Sequence, residues 1–200
     1  MSVKSLSRIK GIVIACVVAI CGTAGLNAQT FDVKTNLLYD ATTTINLGAE
    51  VKLAPKWTFD LSGNLNAWRF SDGKQWRHWM VQPEARYWLC NAFAGHFFGA
   101  HLLGGQYNFG HIDLPSFLGN RLSMLKDYRY QGWYGGIGLA YGYTWILGKH
   151  WSLEAEIGLG WVYTRFDKFE CKDCGKKIDS NHPHNYVGPT KAALNLVYVF

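Results

Sequence analysis

The chain has 200 residues, of which 48% are hydrophobic and 16% aromatic, and its formal net charge is +6. The length fits a single domain, and the basic excess is too small to favour nucleic acid as a partner. Beyond residue 28 there is no apolar segment long enough for a membrane-spanning helix, which excludes a bundle of such helices.

The first 28 residues have the pattern of a secretory signal peptide. Three basic residues lie among the first ten, an apolar run follows at residues 11–20, and small residues lead to Ala28. The apolar run is well short of the roughly 20 residues that a transmembrane helix needs. We therefore predict a signal peptide at residues 1–28 and a single domain at residues 29–200.

Alternating hydrophobicity dominates the rest of the chain and is clearest at residues 151–163. There the odd positions are all apolar and nearly all even positions are small or polar. A period of two predicts a β-strand with one apolar face and one polar face. Trp151 and Trp161 are ten residues apart on the apolar face. That spacing is roughly 33 Å of strand, or roughly 25 Å of height at a tilt of about 40°, which matches the apolar band of an outer-membrane barrel.

Eight segments carry this alternation, and short and longer connections alternate between them. Short turns at one end and longer loops at the other are typical of transmembrane barrels. We predict an all-β fold, an eight-stranded antiparallel up-and-down transmembrane β-barrel. The predicted strands are residues 32–39, 45–53, 57–70, 76–89, 97–110, 132–147, 151–167 and 186–200.

The apolar faces are predicted to point outwards, towards lipid. Alternation alone would also fit a secreted, soluble, lipocalin-like ligand carrier, whose apolar face lies inside. The apolar faces here carry aromatic residues near both ends, as expected for the two girdles at the membrane surfaces. The predicted girdle residues near the short turns are Trp57, Tyr87, Trp145 and Trp151. Those near the longer loops, at the opposite end of the strands, are Trp79, Trp133, Trp161 and Tyr163.

The polar faces are then expected to fill the interior. An eight-stranded barrel is just wide enough for its own side chains, and buried charges need partners. We therefore predict a packed polar network and no open pore. The expected members of this network are Glu50, Glu84, Arg86, Glu154, Glu156 and Lys191.

The last strand includes Tyr198 and ends on Phe200. An alternating strand with an aromatic carboxyl terminus resembles the assembly signal of bacterial outer-membrane barrels. It predicts the outer membrane of a Gram-negative bacterium as the location. The predicted partners are outer-membrane lipid and the barrel assembly machinery, which would bind the C-terminal strand.

Two long loops, predicted at residues 111–131 and 168–185, are the expected places for function, because recognition is usually carried by loops on a rigid scaffold. Apolar residues at helix-like spacing between Leu114 and Leu125 predict either a short amphipathic helix or an apolar lid over the barrel. We expect a non-enzymatic role, in which these loops bind a surface protein, a glycan or the cell envelope.

The second loop also contains a candidate metal or disulfide site. Cys171 and Cys174 have zinc-knuckle spacing, and His182 and His184 could complete four zinc ligands. The two cysteines could instead form a disulfide in an oxidising compartment, or remain free. Cys90 lies in a predicted tight turn without an obvious mate.

The alternative function is a lipid-modifying enzyme of the outer leaflet that uses Ser, His and Asp residues of the loops. No nucleophile motif frames these residues, so no catalytic residue is assigned. The two candidate sets are Ser71, Asp72 and His78, and His111, Asp113 and Ser116.

Several segments resemble one known family. The opening Lys-Thr-Asn-Leu-Leu-Tyr-Asp at residues 34–40, the Cys-Lys-Asp-Cys-Gly at 171–175 and the closing Gly-Pro-Thr-Lys at 188–191 are similar to the DUF3575 family of Bacteroidetes, as are segments at 129–133 and 141–145. This resemblance covers nearly all of the chain after the signal peptide. It implies a small outer-membrane barrel from a Gram-negative gut or oral anaerobe, and it implies that Cys171 and Cys174 have a role, either bridged or metal-bound. It implies no activity, because the family is defined as uncharacterised.

Overall fold

The computed structural model of the chain describes residues 30–67, 75–110, 129–169 and 177–200. These residues form eight strands and one short helix, and the predicted signal peptide lies outside them. The elements in chain order are β1 (Phe31–Asn36), α1 (Leu37–Ala41), β2 (Ile45–Ala54), β3 (Trp57–Asn66), β4 (Gln75–Trp88), β5 (Gly95–Gly110), β6 (Arg129–Ile146), β7 (Trp151–Phe169) and β8 (Lys177–Val199).

The eight strands form one antiparallel sheet that closes into a ring. Each strand pairs with the next, and β1 pairs with β8 from Asp32↔Val199 to Asn36↔Asn195. The C-terminal residue extends this closure, since the backbone N–H of Phe200 donates to the carbonyl oxygen of Phe31 at 2.9 Å. Closure leaves neither the first nor the last strand as an exposed edge. The predicted all-β, eight-stranded antiparallel fold is confirmed.

The connections define two ends of the ring. The start of β1, the C-terminal residue and the tight β2–β3, β4–β5 and β6–β7 turns lie at one end, which we call the lower end. The opposite ends of the strands form the upper end, where α1 and residues 42–44 connect β1 to β2. The segments 68–74, 111–128 and 170–176, which follow β3, β5 and β7 in the chain, lie outside the described residues.

Along each strand the polar side chains mostly point into the ring and the apolar ones point out. On β7, Glu154 and Glu156 are only 1% and 5% exposed, whereas Ile157 and Leu159 are 60% and 61% exposed. This is the orientation predicted from the sequence. It is the reverse of a soluble carrier, which would keep its apolar side chains inside.

The first strand is shorter than predicted, because it ends at Asn36 and residues 37–41 form a helix. The Asn36 side chain accepts a hydrogen bond from the backbone N–H of Leu38 at 3.1 Å and so caps the helix. Leu37 and Leu38 are consecutive and both exposed, which already breaks the period of two at this point. No helix among the described residues is long and apolar enough to cross a membrane.

Strand β8 begins at Lys177, nine residues before its predicted start. Most of the segment predicted as a loop at residues 168–185 is therefore paired strand, with Thr164↔His184 and Phe166↔His182 in register. The register shifts twice between Phe166 and Phe169. A bulge of this kind moves the following side chains to the opposite face, so the alternation that marks a strand is lost there.

Candidate functional site

The centre of the ring is occupied by Arg86 of β4, which is fully buried. Its Nε donates to Glu84 Oε1 at 2.6 Å, and its Nη1 donates to Glu50 Oε2 at 2.7 Å and to Glu154 Oε2 at 3.0 Å. Its Nη2 donates to Glu156 Oε2 at 2.8 Å. One planar guanidinium thus joins carboxylates from β2, β4 and β7 across the ring, a task that suits its several donors.

A buried lysine lies on the β1 side of this arginine. Lys34 Nζ donates to Glu50 and lies 3.3 Å from Asp60 Oδ1 and 3.6 Å from Asp32 Oδ1. Lys34 was missing from the predicted network. The signal for it was present, because Lys34 shares the inward face of β1 with Asp32 and Asn36.

Lys191 of β8 supplies the third cation. Its Nζ lies 2.7 Å from Glu84 Oε2 and 3.0 Å from Glu156 Oε2. Next to it, Nε2 of His101 lies 2.9 Å from Thr190 Oγ1. All six residues predicted for the interior network therefore lie together in this structure.

Carboxyl groups outnumber cations in this central network of described residues. Because three cations serve six carboxyl groups, each cation has several partners, and removing one would leave several buried acids without compensation. These carboxyl groups are enclosed and paired, so they lack the access to substrate that acid–base catalysis would need. The six acids are Asp32, Glu50, Asp60, Glu84, Glu154 and Glu156, and the three cations are Lys34, Arg86 and Lys191.

Below the network the ring is closed by aromatic side chains. Trp88 and Phe97 are fully buried, with ring centroids 4.7 Å apart. Phe93, which has a φ of 68° in the β4–β5 turn, packs on Val197 beside them. The indole Nε1 of Trp88 donates to the Thr58 hydroxyl at 2.8 Å, which satisfies its only polar group.

This aromatic plug was not predicted, because the apolar residues were all expected to face outwards. The sequence carried one indication of it. Trp88 is at an even position, in phase with the inward-facing Glu84 and Arg86 of the same strand.

Above the network, helix α1 covers part of the interior. Tyr39 of α1, Lys191 and Gln82 line a cavity of about 20 Å³ beneath the helix, which is about the space of one water molecule. Burial raises the pKa of the Tyr39 phenol above its ordinary value of 10.0, so this hydroxyl stays neutral at physiological pH.

The upper mouth of the ring contains a wider, mainly aromatic cavity of about 290 Å³. Its lining includes His78, Tyr107, Tyr134, Thr164 and Tyr186. Tyr107 Oη lies 3.1 Å from Thr164 Oγ1. Tyrosines offer a flat apolar ring and a hydroxyl together, so this mouth can bind a group that has both apolar and hydrogen-bonding surfaces.

The predicted girdle residues lie on the outward face of the ring. Near the lower end the rings of Trp57 and Tyr87 are 5.1 Å apart, and near the upper end those of Trp133 and Tyr163 are 5.8 Å apart. Tyr163 is half-buried and the other seven are exposed. The exposed ones are Trp57, Trp79, Tyr87, Trp133, Trp145, Trp151 and Trp161.

The predicted assembly signal lies at the seam between β8 and β1. Tyr198 is paired with Val33, and its ring lies 5.0 Å from that of Trp151. The Phe200 ring lies 4.8 Å from that of Tyr198 and 5.8 Å from that of Phe31. The last aromatic residues thus form one outward cluster with the first strand.

The predicted metal or disulfide site falls largely outside the described residues, since Cys171 and Cys174 lie there. His182 and His184 are two residues apart in strand β8. Within the described ranges no group of three His, Cys, Asp or Glu residues is placed to hold a metal ion. Cys90 is a free, exposed cysteine in the β4–β5 turn.

The candidate catalytic sets are likewise mostly beyond the described residues, and only His78 is described. It lines the upper mouth. The candidate residues outside the described ranges are Ser71, Asp72, His111, Asp113 and Ser116, and the apolar segment between Leu114 and Leu125 lies there too.

Comparison with known proteins gives one match. No curated protein and no solved structure matches the chain. The model of the family described as "Protein of unknown function (DUF3575)" matches residues 12–200, which include the Gly-Pro-Thr-Lys run whose Lys191 reaches the central network. The chain therefore belongs to the DUF3575 family.

Proposed function

We propose that this protein is a non-enzymatic β-barrel of a Gram-negative outer membrane, which presents its upper mouth and upper loops for surface binding or envelope structure. One observation carries the proposal. Large apolar side chains are exposed on the outside of the ring while ionisable ones fill its inside, as Leu139 and Leu159 are 72% and 61% exposed and Glu50 and Arg86 are both 0% exposed. Water on the outside would make this arrangement unfavourable, whereas lipid favours it.

The aromatic girdles support the same proposal. Trp151 and Trp161 lie at the two ends of the apolar face of β7, with Ile157 and Leu159 between them. Tryptophan is enriched at both membrane surfaces because its ring is apolar and its N–H is polar. The apolar band between these girdles would be roughly 25 Å tall, as in outer-membrane barrels.

The filled interior argues against transport through the ring. The central network and the aromatic plug fill the middle and the lower part of the ring, and a cavity between α1 and the network measures only about 20 Å³. A barrel of eight strands leaves only room for side chains. Binding would then take place at the upper mouth and the loops around it, where scaffolded proteins usually carry recognition.

We expect the purified protein to conduct no small solutes. Liposomes that contain it should swell in a sugar solution no faster than empty liposomes, because the interior is filled by side chains. Liposomes with a general porin serve as the positive control. Correct insertion is checked on the same preparation by the mobility of the unheated protein in gel electrophoresis. Sugar entry through correctly inserted protein would contradict the proposal.

The binding role is tested on intact cells. Cells expressing the full chain, or chains that lack residues 68–74, 111–128 or 170–176, are incubated with labelled envelope proteins and glycans, and captured material is compared after membrane isolation. We expect the full chain in the outer-membrane fraction and reduced capture for at least one deletion. Recovery of the full chain as a soluble periplasmic protein, or equal capture by all deletions, would contradict the proposal.

A further inference from the structure

The inside of the upper mouth contains a second, larger cavity of about 490 Å³. Strands β3 to β7 each place one inward-facing residue in its lining, and these alternate in phase with buried residues of the same strands, as His78 does with Met80. The five inward-facing residues are Asn66, His78, Tyr107, Gly132 and Phe166. His78 and Tyr107 also line the cavity of about 290 Å³, so the two spaces adjoin. The larger one is within the range of about 300–1,000 Å³ that small-ligand sites occupy.

Aromatic side chains form one wall of the mouth, on strands β5 to β8. The ring centroids of Tyr107 and Tyr134 are 6.0 Å apart. The Phe166 ring lies 5.6 Å from that of Tyr130, edge to face. Tyr186 of β8 faces the same space and is 43% exposed. Because a tyrosine combines a flat apolar ring with a hydroxyl, this wall can pack on the flat apolar face of a ligand and bond to its polar rim.

Hydrogen-bonding side chains lie on the facing strands and between the aromatic rings. Strands four apart in a ring of eight are opposite each other, so Asn66 of β3 and His78 of β4 face the aromatic wall on β7 and β8. The Asn66 Nδ2 donates to the Thr44 hydroxyl at 3.0 Å, which orients the amide. On the aromatic wall, Thr164 Oγ1 lies 3.1 Å from Tyr107 Oη. These groups are held in place by the sheet, which lowers the entropy cost of binding a ligand.

The described inward-facing residues of the two cavities carry no carboxylate, ammonium or guanidinium group. Arg77, Arg165 and Asp167 also line the larger cavity. Each lies next to an inward-facing residue, His78 or Phe166, so its side chain points outwards. Further down, six carboxyl groups and three cations form the central network, whose excess of acids disfavours an anionic ligand. A wholly apolar ligand would cover the amide and hydroxyl groups of the mouth without bonding to them, which is costly. The mouth therefore suits an uncharged, polar ligand.

We propose that the upper mouth binds a neutral glycan. A sugar ring has a face of C–H groups and a rim of hydroxyls, so it matches a wall of aromatic rings opposite amide and imidazole groups. The C–H face packs on the rings of Tyr107 and Tyr134. The hydroxyls bond to the side chains of Asn66, His78 and Thr164. This inference rests on the proposed function, because it names the ligand that the mouth of the barrel binds at the cell surface.

A glycan array probed with the labelled full chain in detergent micelles tests the ligand class. The array carries neutral glycans, each beside its counterpart with sialic acid or sulfate. We expect binding to neutral glycans and weaker binding to their acidic counterparts. Binding to no glycan, or equal binding to neutral and acidic ones, would overturn the proposal. Displacement of the bound glycan by the neutral peptide Gly-Tyr-Gly at similar concentration would assign the mouth to a peptide and would also overturn it.

Two variants place the glycan in the mouth, with affinity for the array's strongest neutral glycan measured by isothermal titration calorimetry in micelles. Tyr134→Ala removes a ring from the aromatic wall, and we expect about tenfold weaker binding. Val162→Trp puts a bulky ring into the cavity of about 290 Å³ that Val162 lines, and should weaken binding without removing any contact group. The tryptophan variant tests the site even if Tyr134→Ala folds poorly. Wild-type affinity in either folded variant would overturn the site.

The matched control is Tyr141→Ala on the same strand as Tyr134. Tyr141 is 43% exposed and lies an odd number of residues from Tyr134, so it faces outwards. The control should bind the glycan like the wild type, and equal losses in Tyr141→Ala and Tyr134→Ala would overturn the site. Outer-membrane fractionation of the wild type is done in parallel. A soluble periplasmic wild type refutes the proposed function, whereas an inserted wild type that binds no neutral glycan refutes only this inference.

Discussion

Replacing Arg86 by leucine is expected to destabilise the fold by about 3–5 kcal/mol, the range for removing one partner from a buried ion pair. The guanidinium contacts Glu50, Glu84, Glu154 and Glu156 at 2.6 to 3.0 Å. Without it these acids remain buried, and of the three cations in the described network Lys34 and Lys191 alone remain to compensate them. The free energy of unfolding is measured by urea titration of the protein refolded in detergent micelles, with tryptophan fluorescence as the signal.

The matched control is Glu156→Gln, which removes an acid instead of a cation. Glu156 accepts from Arg86 and lies 3.0 Å from Lys191, and glutamine keeps the volume and one acceptor. Because acids are in excess, we expect a change within about 1 kcal/mol, the size of a single neutral hydrogen bond. If Arg86→Leu is no more destabilising than Glu156→Gln, the central role of the guanidinium is refuted.

The sequence predicts the closed sheet well because one physical constraint acts on every strand. A two-sided environment imposes a period of two, as in residues 151–163, where the side chains that alternate in the sequence also alternate between inside and outside. The same constraint identified Glu154, Glu156 and Arg86 as neighbours, since all lie on inward positions. The alternation does not predict the distances between side chains on different strands, because these depend on strand register and tilt.

The aromatic plug shows a second limit of sequence-based prediction. Trp88 and Phe97 are opposite one another in the β4–β5 register, and Phe93 reaches them through a turn with positive φ. Hydrophobicity alone assigns all three to the apolar outer face. Trp88 faces inwards because it lies an even number of residues from the inward-facing Glu84 and Arg86 on the same strand. Phe93 reaches the interior because of a turn geometry that composition does not reveal.

Strand β8 shows why loop boundaries were the least accurate part of the prediction. Its first nine residues, 177–185, include Pro183 and several polar residues, and the register shifts near Lys168 disturb the alternation on the facing strand. Pairing there is maintained by backbone hydrogen bonds, which do not require an apolar face. Prediction from alternation recognises a strand by its apolar and polar faces. It therefore places the start of this strand near Tyr186, where the alternation of apolar and polar residues begins again.

Placing an arginine at the middle of the outer face is the second large effect, and it tests the membrane proposal directly. Ile157 lies between Trp151 and Trp161 on β7 and is 60% exposed. If lipid surrounds this face, Ile157→Arg should destabilise the inserted protein by about 2–4 kcal/mol, the cost of arginine at the bilayer midplane. The measurement is urea unfolding of the protein refolded into lipid vesicles.

The same substitution at Val187 provides the depth control, because Val187 pairs with the girdle residue Trp161 and is 80% exposed. At this height an arginine reaches the headgroups, so Val187→Arg should cost only about 0–1 kcal/mol. Water and lipid lead to different results here. If water surrounds the ring, both exposed positions accept arginine with little loss, whereas lipid makes Ile157→Arg much the more costly. Equal, small effects at the two positions would therefore contradict the proposal that lipid surrounds the apolar outer face.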